Sequence, residues 1–321
     1  MGRMAKINQW ARRLRPLAAL RTLGKPRELA RIRRQYRALD LRKSPVASVS
    51  HRQVAGRGGE TPWLDADPPP EWIREAPGFA VMPADAQEGA VAWPARGHMV
   101  LERFYDETTV DRINAEVDEL LGAGDLHFHA RSPRVMNSWR KSEAVAEAVA
   151  DPRLLGTLSF LMGREAKLFQ TISFLAGSQQ SAHSDAFHMM TEPPGYLIGV
   201  WVALEDIEVD QGPVFYLPGS HRGPYLMSED LDLPRRKRLT VADKGRAYVA
   251  AMAAAVEQSA VEPVPFTASN GDVLLWHQNL LHGGSAITHP GATRKSLVAH
   301  FFAEDVLCYH EVTERPALMP G

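Results

Sequence analysis

A change in hydrophobic periodicity near residue 165 most limits how this chain of 321 residues can fold. Before it, apolar residues recur at helical spacing, which predicts an amphipathic helix over 107–122 and a second helical region over 142–162. Short β-rich runs follow, bounded by Gly, Pro and Asp, at 167–176, 196–204, 214–217, 272–276 and 295–303. Helices followed by strands predict an α+β fold or a β-barrel or sandwich packed against helices, and we assign the chain as mainly β with flanking helices.

The distribution of charge divides the chain further. Residues 1–43 carry 14 Lys and Arg and two acids, although the whole chain is balanced with 37 basic and 38 acidic residues. We interpret 1–43 as a basic helical extension, 44–70 as a Pro- and Gly-rich linker and 71–321 as the folded domain. The extension either contacts an anionic membrane surface or an acidic partner, or is a helix lying on the acidic body or a mobile tail.

Several function classes are not favoured by the sequence. No apolar run reaches the roughly 18 residues that a membrane-spanning helix needs, and the apolar stretch 17–20 is too short for a signal-peptide core. Cys308 is the single cysteine and excludes an intrachain disulfide. No nucleic-acid motif accompanies the basic residues. We expect a cytoplasmic protein without a nucleic-acid partner. If the extension binds lipid, we expect the protein to lie peripherally at the inner membrane surface.

His183 and Asp185, which carry an imidazole and a carboxylate, lie two positions apart in the sequence. If they lie on a strand, both side chains point to the same face, because strand side chains alternate. An imidazole and a carboxylate aimed at one point are two-thirds of the 2-His-1-carboxylate face that holds non-haem Fe(II). His282 is the predicted third ligand, with His277 as the alternative. The two glycines after His282 predict a sharp backbone turn beside a crowded site.

Polar residues near these ligands are candidates for binding a cosubstrate. Arg294 lies on or just before the last strand, and its planar guanidinium pairs a carboxylate through two hydrogen bonds. Ser296 shares its strand face and offers a hydroxyl group. Gln170 and Gln180 lie on or near the strand that leads into the metal motif; they bind cosubstrate or substrate, or have simple strand roles.

Three further residues are candidates for substrate recognition. His188 follows His183 by five residues and is expected to face a substrate cavity. Asn137 and Arg140 belong to a polar and aromatic cluster that precedes a helix. The sequence predicts a small-molecule substrate without identifying it.

The ordered motifs resemble the phytanoyl-CoA dioxygenase-like family of Fe(II)/2-oxoglutarate oxygenases. That family carries H-x-D, a tryptophan-containing strand, a P-G-S/T-H turn, then G-D-x-x-x-W/F-H-x-x-x-x-H-G and an Arg. The matching segments here are His183-Ser-Asp185, 199–206 with Trp201, 212–221, 271–277, His282-Gly-Gly and Arg294. The likeness covers about residues 97–310, and the doubled glycine departs from the family's usual H-G-S.

The resemblance implies a double-stranded β-helix, a jelly-roll or cupin-like core. It implies Fe(II) bound by His183, Asp185 and His282, 2-oxoglutarate held by Arg294 in a pocket lined by Trp201, and O2 as the oxidant. Related halogenases replace the carboxylate ligand, so Asp185 favours hydroxylation of an unactivated C–H in a small or medium-sized metabolite, with release of succinate and CO2. The alternative is a non-catalytic or redox-neutral cupin-like protein that binds a metal or ligand.

Overall fold

The computed structural model describes residues 25–129, 134–231 and 240–318, apart from the side chains of residues 241 and 242. The α-helices are α1 Pro26–Ala38, α2 His51–Val54, α3 Pro70–Glu75, α4 Ala84–Arg96, α5 Glu107–Gly122, α6 Glu143–Val149, α7 Pro152–Met162 and α8 Val241–Ser259. The strands are β1 His98–Leu101, β2 Arg134–Met136, β3 Ala166–Phe174, β4 Met190–Glu192, β5 Leu197–Ala203, β6 Val214–Tyr216, β7 Val264–Phe266, β8 Val273–His277, β9 His282–Gly284, β10 Ser296–Ala303, β11 Leu307–His310 and β12 Arg315–Pro316. The predicted class, mainly β with flanking helices, is confirmed.

A six-stranded antiparallel sheet in the order β1-β8-β5-β10-β3-β2 forms the centre of the molecule. Its central strands β5, β8 and β10 are buried along their whole length. Apolar residues therefore occupy both faces of these strands, which explains why their sequences read as nearly continuous hydrophobic runs.

The helices cover one face of this sheet. In α5, Val110, Ile113 and Val117 form the buried stripe, and Asp106 caps the helix by accepting a hydrogen bond from the Thr109 amide at 2.8 Å. The region predicted over 142–162 forms α6 and α7. Asp151 caps α7, and Gly163 ends it with a left-handed backbone conformation. Helical spacing and caps thus place the helices as the sequence predicts.

The opposite face of the large sheet packs against a three-stranded sheet in the order β7-β6-β9. Trp201 and Val298 of the large sheet share one apolar cluster with Val214, Tyr216 and Phe266 of the small one. Two facing antiparallel sheets enclose a space between them, and the predicted site residues Gln170 of β3 and Trp201 of β5 line it.

The segments predicted as an extension and a linker pack on the body where they are described. Helix α1 buries Ile32 and Tyr36 beside Leu307 and Tyr309 of β11. The segment 44–70 carries fully buried Val49, Val54 and Leu64. Unlike a free spacer, this segment is held to the body at these positions, because the apolar side chains are buried there.

The outer surface of α1 is basic, with Arg33, Arg34 and Arg37 exposed. Residues 1–24 lie outside the described part of the chain, so contact of 1–43 with an anionic membrane or an acidic partner stays a prediction. Within the described ranges, no helix has the length and apolar character needed to cross a bilayer.

Candidate metal centre

His183, Asp185 and His282 meet between the two sheets, with one potential ligand atom from each within 4.8 Å of the others. The motif that carries the first two does not lie on a strand, which was the condition for their predicted common face. His183 makes an isolated bridge to His282, and Asp185 begins a 3-10 turn over Asp185–Phe187. Ser184 between them is extended, with φ −108° and ψ 152°, so the two side chains still converge as alternation requires.

Backbone pairing fixes the two imidazoles relative to one another. The amide of His183 donates to the carbonyl of His282 at 2.9 Å, and the reverse bond measures 3.0 Å. The Nδ1 atoms lie 3.0 Å from the Ser181 carbonyl and 2.9 Å from the Leu280 carbonyl. A carbonyl accepts only, so each Nδ1 carries the proton and each Nε2 presents a lone pair.

The Asp185 carboxylate is oriented by two donors on a single oxygen. The Trp276 indole N–H donates to Oδ2 at 2.8 Å, and the Nε2 of His300 lies 3.4 Å from the same atom. Oδ1 stays directed toward Nε2 of His282, at 3.8 Å. Hydrogen bonds of this kind fix the geometry of a metal ligand and support its affinity for the ion.

A glycine makes room for the tryptophan that orients Asp185. Gly199 of β5 pairs with Trp276 of β8, and a Cβ at Gly199 would lie 2.3 Å from the indole ring. Any larger residue would displace the indole, and with it the donor to Asp185.

We expect Trp276→Phe to weaken Fe(II) binding by about 10- to 100-fold, the usual cost of removing a hydrogen bond that orients a metal ligand. The measurement is anaerobic Fe(II) titration of the full-length protein. Trp72→Phe is the matched control, because Trp72 is 64% exposed. Equal Fe(II) affinity in the two variants would contradict a role for the indole N–H.

The protonation states also fit a metal ion. Burial, followed by the neighbouring His282, lowers the pKa of His183 to about 4, and burial lowers the pKa of His282. Burial acts to raise the pKa of Asp185, but His300 and His282 outweigh it and hold that pKa well below its usual range. Neutral imidazoles and an ionised carboxylate are the forms that bind a divalent cation.

The donor set therefore fits Fe(II). Two imidazole nitrogens and one carboxylate oxygen, with open coordination positions, form the facial triad that suits this ion. His277 is not part of it. Its Nδ1 accepts from the Asn279 amide at 3.1 Å, and its Nε2 lies 3.3 Å from Asp65, so this ring joins β8 to the N-terminal segment.

Arg294 lines the same cavity as the three ligands. It is 3% exposed, and its Nε is buried without a hydrogen-bond partner in the described structure. Burial lowers its pKa to about 10, so it stays charged at neutral pH. Its Nη1 donates to Ser296 at 3.2 Å, and its Cζ lies 5.7 Å from the Trp201 ring. A buried cation with free donors is a site for an anion.

Gln170 is held in the cavity wall by a histidine that sequence reasoning missed. The amide nitrogen of Gln170 lies 3.2 Å from Nδ1 of His300, so the two form a chain that ends on Asp185. A signal for His300 was present, because Ser296 and His300 fall on the same face of β10 at a period of two. Together these residues extend the support of the carboxylate ligand.

Of the other four predicted residues, two line the cavity and two do not. Gln180 and His188 line the cavity, with Nε2 of Gln180 3.2 Å from Nε2 of His183. Asn137 and Arg140 do not: Asn137 accepts from the Thr171 amide at 3.4 Å, and Arg140 is exposed over the Trp139 ring. The structure thus brings Gln180 and His188 to the metal face and leaves the other pair outside it.

The two glycines after His282 lie in a crowded place, as predicted, but on a strand and not at a sharp turn. Gly283 lies in β9, and a Cβ there would sit 2.6 Å from the Gln180 carbonyl oxygen. A Cβ at Gly284 would sit 2.7 Å from Oγ of Ser178. These residues are small because the segment that leads to His183 passes directly over β9.

Fold and site together give a β-sheet protein in which two histidines and one carboxylate could hold a metal ion, with a buried arginine in the same cavity. The family model described as phytanoyl-CoA dioxygenase (PhyH) matches residues 93–296. The chain belongs to this family.

Curated relatives match over a limited length. Phytanoyl-CoA dioxygenase domain-containing protein 1 of Bos taurus is 33% identical over 98 residues, which is 30% of this chain and 31% of the relative. The protein of the same name from Mus musculus is 34% identical over 94 residues, or 29% and 30% of the two chains. The match therefore spans about a third of the length of these relatives.

Solved structures share the fold. The carbocyclase SnoK from nogalamycin biosynthesis, described as non-haem and α-ketoglutarate-dependent, aligns with a TM-score of 0.55 at 18% identity, over 71% of this chain and 87% of its own. EctD from S. alaskensis, solved with 2-oxoglutarate and 5-hydroxyectoine, aligns with a TM-score of 0.52 at 20% identity, over 72% and 80%. At such identity the likeness concerns the fold alone.

Proposed function

We propose that this protein is an Fe(II)/2-oxoglutarate-dependent dioxygenase with a double-stranded β-helix core, which hydroxylates an unactivated C–H of a small or medium-sized metabolite. One observation carries the proposal: the His183, Asp185 and His282 face shares its cavity with the buried, incompletely paired Arg294. A site that binds only a metal has no need of a buried cation, whereas a dicarboxylate cosubstrate needs an anchor for its distal carboxylate.

When bound, Fe(II) and 2-oxoglutarate supply the O2 chemistry that converts C–H to C–OH with release of succinate and CO2. His183 and His282 would hold the ion through Nε2, because their Nδ1 protons are bound to backbone carbonyls. Asp185 would use Oδ1, because its Oδ2 accepts from Trp276. Arg294 would hold the distal carboxylate, with Ser296 fixing its guanidinium.

The cavity suits two small molecules. Its volume is about 580 Å³, within the range of ligand sites in proteins. Trp201, Ile172 and Val298 line its wall, and such apolar surface limits the access of water to a reacting centre. With a carboxylate ligand in place at Asp185, hydroxylation is the favoured outcome over halogenation.

The proposed function predicts that the full-length protein with Fe(II) converts 2-oxoglutarate to succinate in the presence of O2, in an uncoupled reaction that needs no substrate. Succinate is measured by mass spectrometry, with argon and chelator controls that are expected to abolish it. If neither turnover nor binding of 2-oxoglutarate is detected, the redox-neutral metal-binding alternative replaces this proposal.

A further inference from the structure

The charges in the cavity do not balance when the proposed ligands are counted. Among the described residues that line it, Arg134 and Arg294 carry permanent positive charge and Asp185 alone carries a carboxylate. Fe(II) and Arg294 would bring three positive charges; Asp185 and the doubly charged 2-oxoglutarate would bring three negative ones. Metal, cosubstrate and Arg294 thus neutralise each other, and Arg134 is left as a surplus cation.

Arg134 has no anionic partner in the described structure. Its Nε is buried without a hydrogen-bond partner, and no ion pair joins its guanidinium to a described residue. Arg134 lines the same cavity as His183, Asp185 and His282. Arg134 is half-buried in the cavity wall, and its buried, unpaired Nε–H is a donor that a ligand anion could accept from.

Arg134 and Arg294 approach the cavity from different strands. Arg134 begins the edge strand β2 and pairs with Phe174 of β3, which pairs in turn with Ser296 of β10. Two strand spacings, about 10 Å, therefore separate β2 from β10. The Phe174 ring lies between them and contacts Arg294, whose Cζ is 5.6 Å from its centre. Arg134 thus offers a second, separate anion-binding position.

We infer that the substrate carries an anionic group, a carboxylate or a phosphate, which Arg134 binds, and an apolar body that lies along Ile172, Phe174 and Met189. All three apolar residues line the same cavity. Gln180 and His188 line the same cavity and offer further polar contacts. The inference rests on the proposed function, since it assigns Arg294 and the metal face to the cosubstrate.

A binding experiment separates charge recognition from catalysis. Hexanoate, hexyl phosphate and neutral hexan-1-ol are titrated by ligand-observed NMR into the full-length protein held anaerobically with Fe(II) and saturating 2-oxoglutarate. We expect at least one anion to bind about tenfold or more tightly than hexan-1-ol, and the tighter of the two identifies the preferred group. Because the readout is binding, it does not depend on turnover.

Variants assign the preference to Arg134. In Arg134→Gln the anion preference should disappear, in Arg134→Lys it should persist in part, and the KM for 2-oxoglutarate should be unchanged in both. Lys141→Gln, an exposed residue that follows the same strand, is the control for net charge and should keep the preference. Because Arg134 has no described partner, its loss is not expected to lower the Tm.

Two results would overturn the inference. One is equal binding of anions and hexan-1-ol by the wild-type protein. The other is an unchanged anion preference in Arg134→Gln, with or without a rise in the KM for 2-oxoglutarate; a rise would assign Arg134 to the cosubstrate. A failure of the proposed function is distinct, because it appears in the wild-type protein as absence of 2-oxoglutarate binding and turnover.

Discussion

Arg294→Met is expected to weaken 2-oxoglutarate binding by at least about 30-fold, which corresponds to about 2 kcal/mol. Removal of one partner from a buried, hydrogen-bonded charge pair costs about 2–5 kcal/mol, because the remaining carboxylate loses its donors in a site shielded from water. The guanidinium is 3% exposed and lies beside Ser296 and Trp201, so solvent does not replace it. Calorimetric titration of the Fe(II) protein under argon measures the change.

Two controls separate cosubstrate binding from folding. Arg222→Met removes an exposed arginine that pairs with Asp67 and should leave 2-oxoglutarate binding unchanged. Arg294→Lys keeps the charge without the planar fork and should bind with intermediate affinity. The Tm of Arg294→Met should stay the same or rise, since the variant removes a buried charge without an anionic partner. Wild-type affinity in Arg294→Met would exclude Arg294 as the anchor.

Asp185→Ala is expected to lose Fe(II) affinity and succinate formation by at least about 100-fold. Loss of a residue that orients a metal ligand costs about 10- to 100-fold, and loss of the ligand itself should cost no less. The variant also leaves the Trp276 indole N–H without its acceptor in a buried site. Anaerobic Fe(II) titration and succinate assay measure the two effects separately.

Asp111→Ala is the matched control, because Asp111 is exposed on α5, far along the chain from the metal motif. It should retain Fe(II) affinity and turnover. An Asp185→Ala protein with full succinate formation would show that this carboxylate is not a ligand in the reaction.

The residues of the metal face could be predicted from sequence because their order along the chain is informative by itself. His183, Asp185, His282 and Arg294 each follow or precede a recognisable β-rich run, and the structure brings all four to one cavity. The motif does not lie on a strand, but the extended backbone of Ser184 directs the side chains of His183 and Asp185 to the same side, as a strand would. The alternation of side chains over these three residues was sufficient to predict that His183 and Asp185 point to the same side.

Other features depend on contacts between distant parts of the chain. Helix α1 packs on the body because Ile32 and Tyr36 contact Leu307 and Tyr309 of β11. The sequence of 26–38 does not indicate that β11 is the surface on which the helix packs. Arg134 lies on a three-residue edge strand too short for a periodic signal. Arg134 reaches the cavity because β2 pairs with β3, and a sequence pattern does not specify which strands pair.

The same limit applies to the glycines of the site. Gly199 and Gly283 are required by close approach of Trp276 and of the Gln180 carbonyl, and neither has a positive φ. A glycine in a sequence predicts a turn more readily than a crowded contact, since the contacting group is distant in the chain. For the two glycines after His282, the crowding was predicted from the sequence, whereas the sharp turn was not found.

Anaerobic addition of 2-oxoglutarate to the Fe(II)-loaded protein tests the central claim most directly, because chelation of Fe(II) by a 2-oxo acid produces a visible metal-to-ligand charge-transfer band. We predict that the band appears with one equivalent of Fe(II) in the wild-type protein, is lost in Asp185→Ala, and requires a much higher 2-oxoglutarate concentration in Arg294→Met. Absence of the band in the wild-type protein, or its full retention in both variants, would contradict a shared site for metal and cosubstrate.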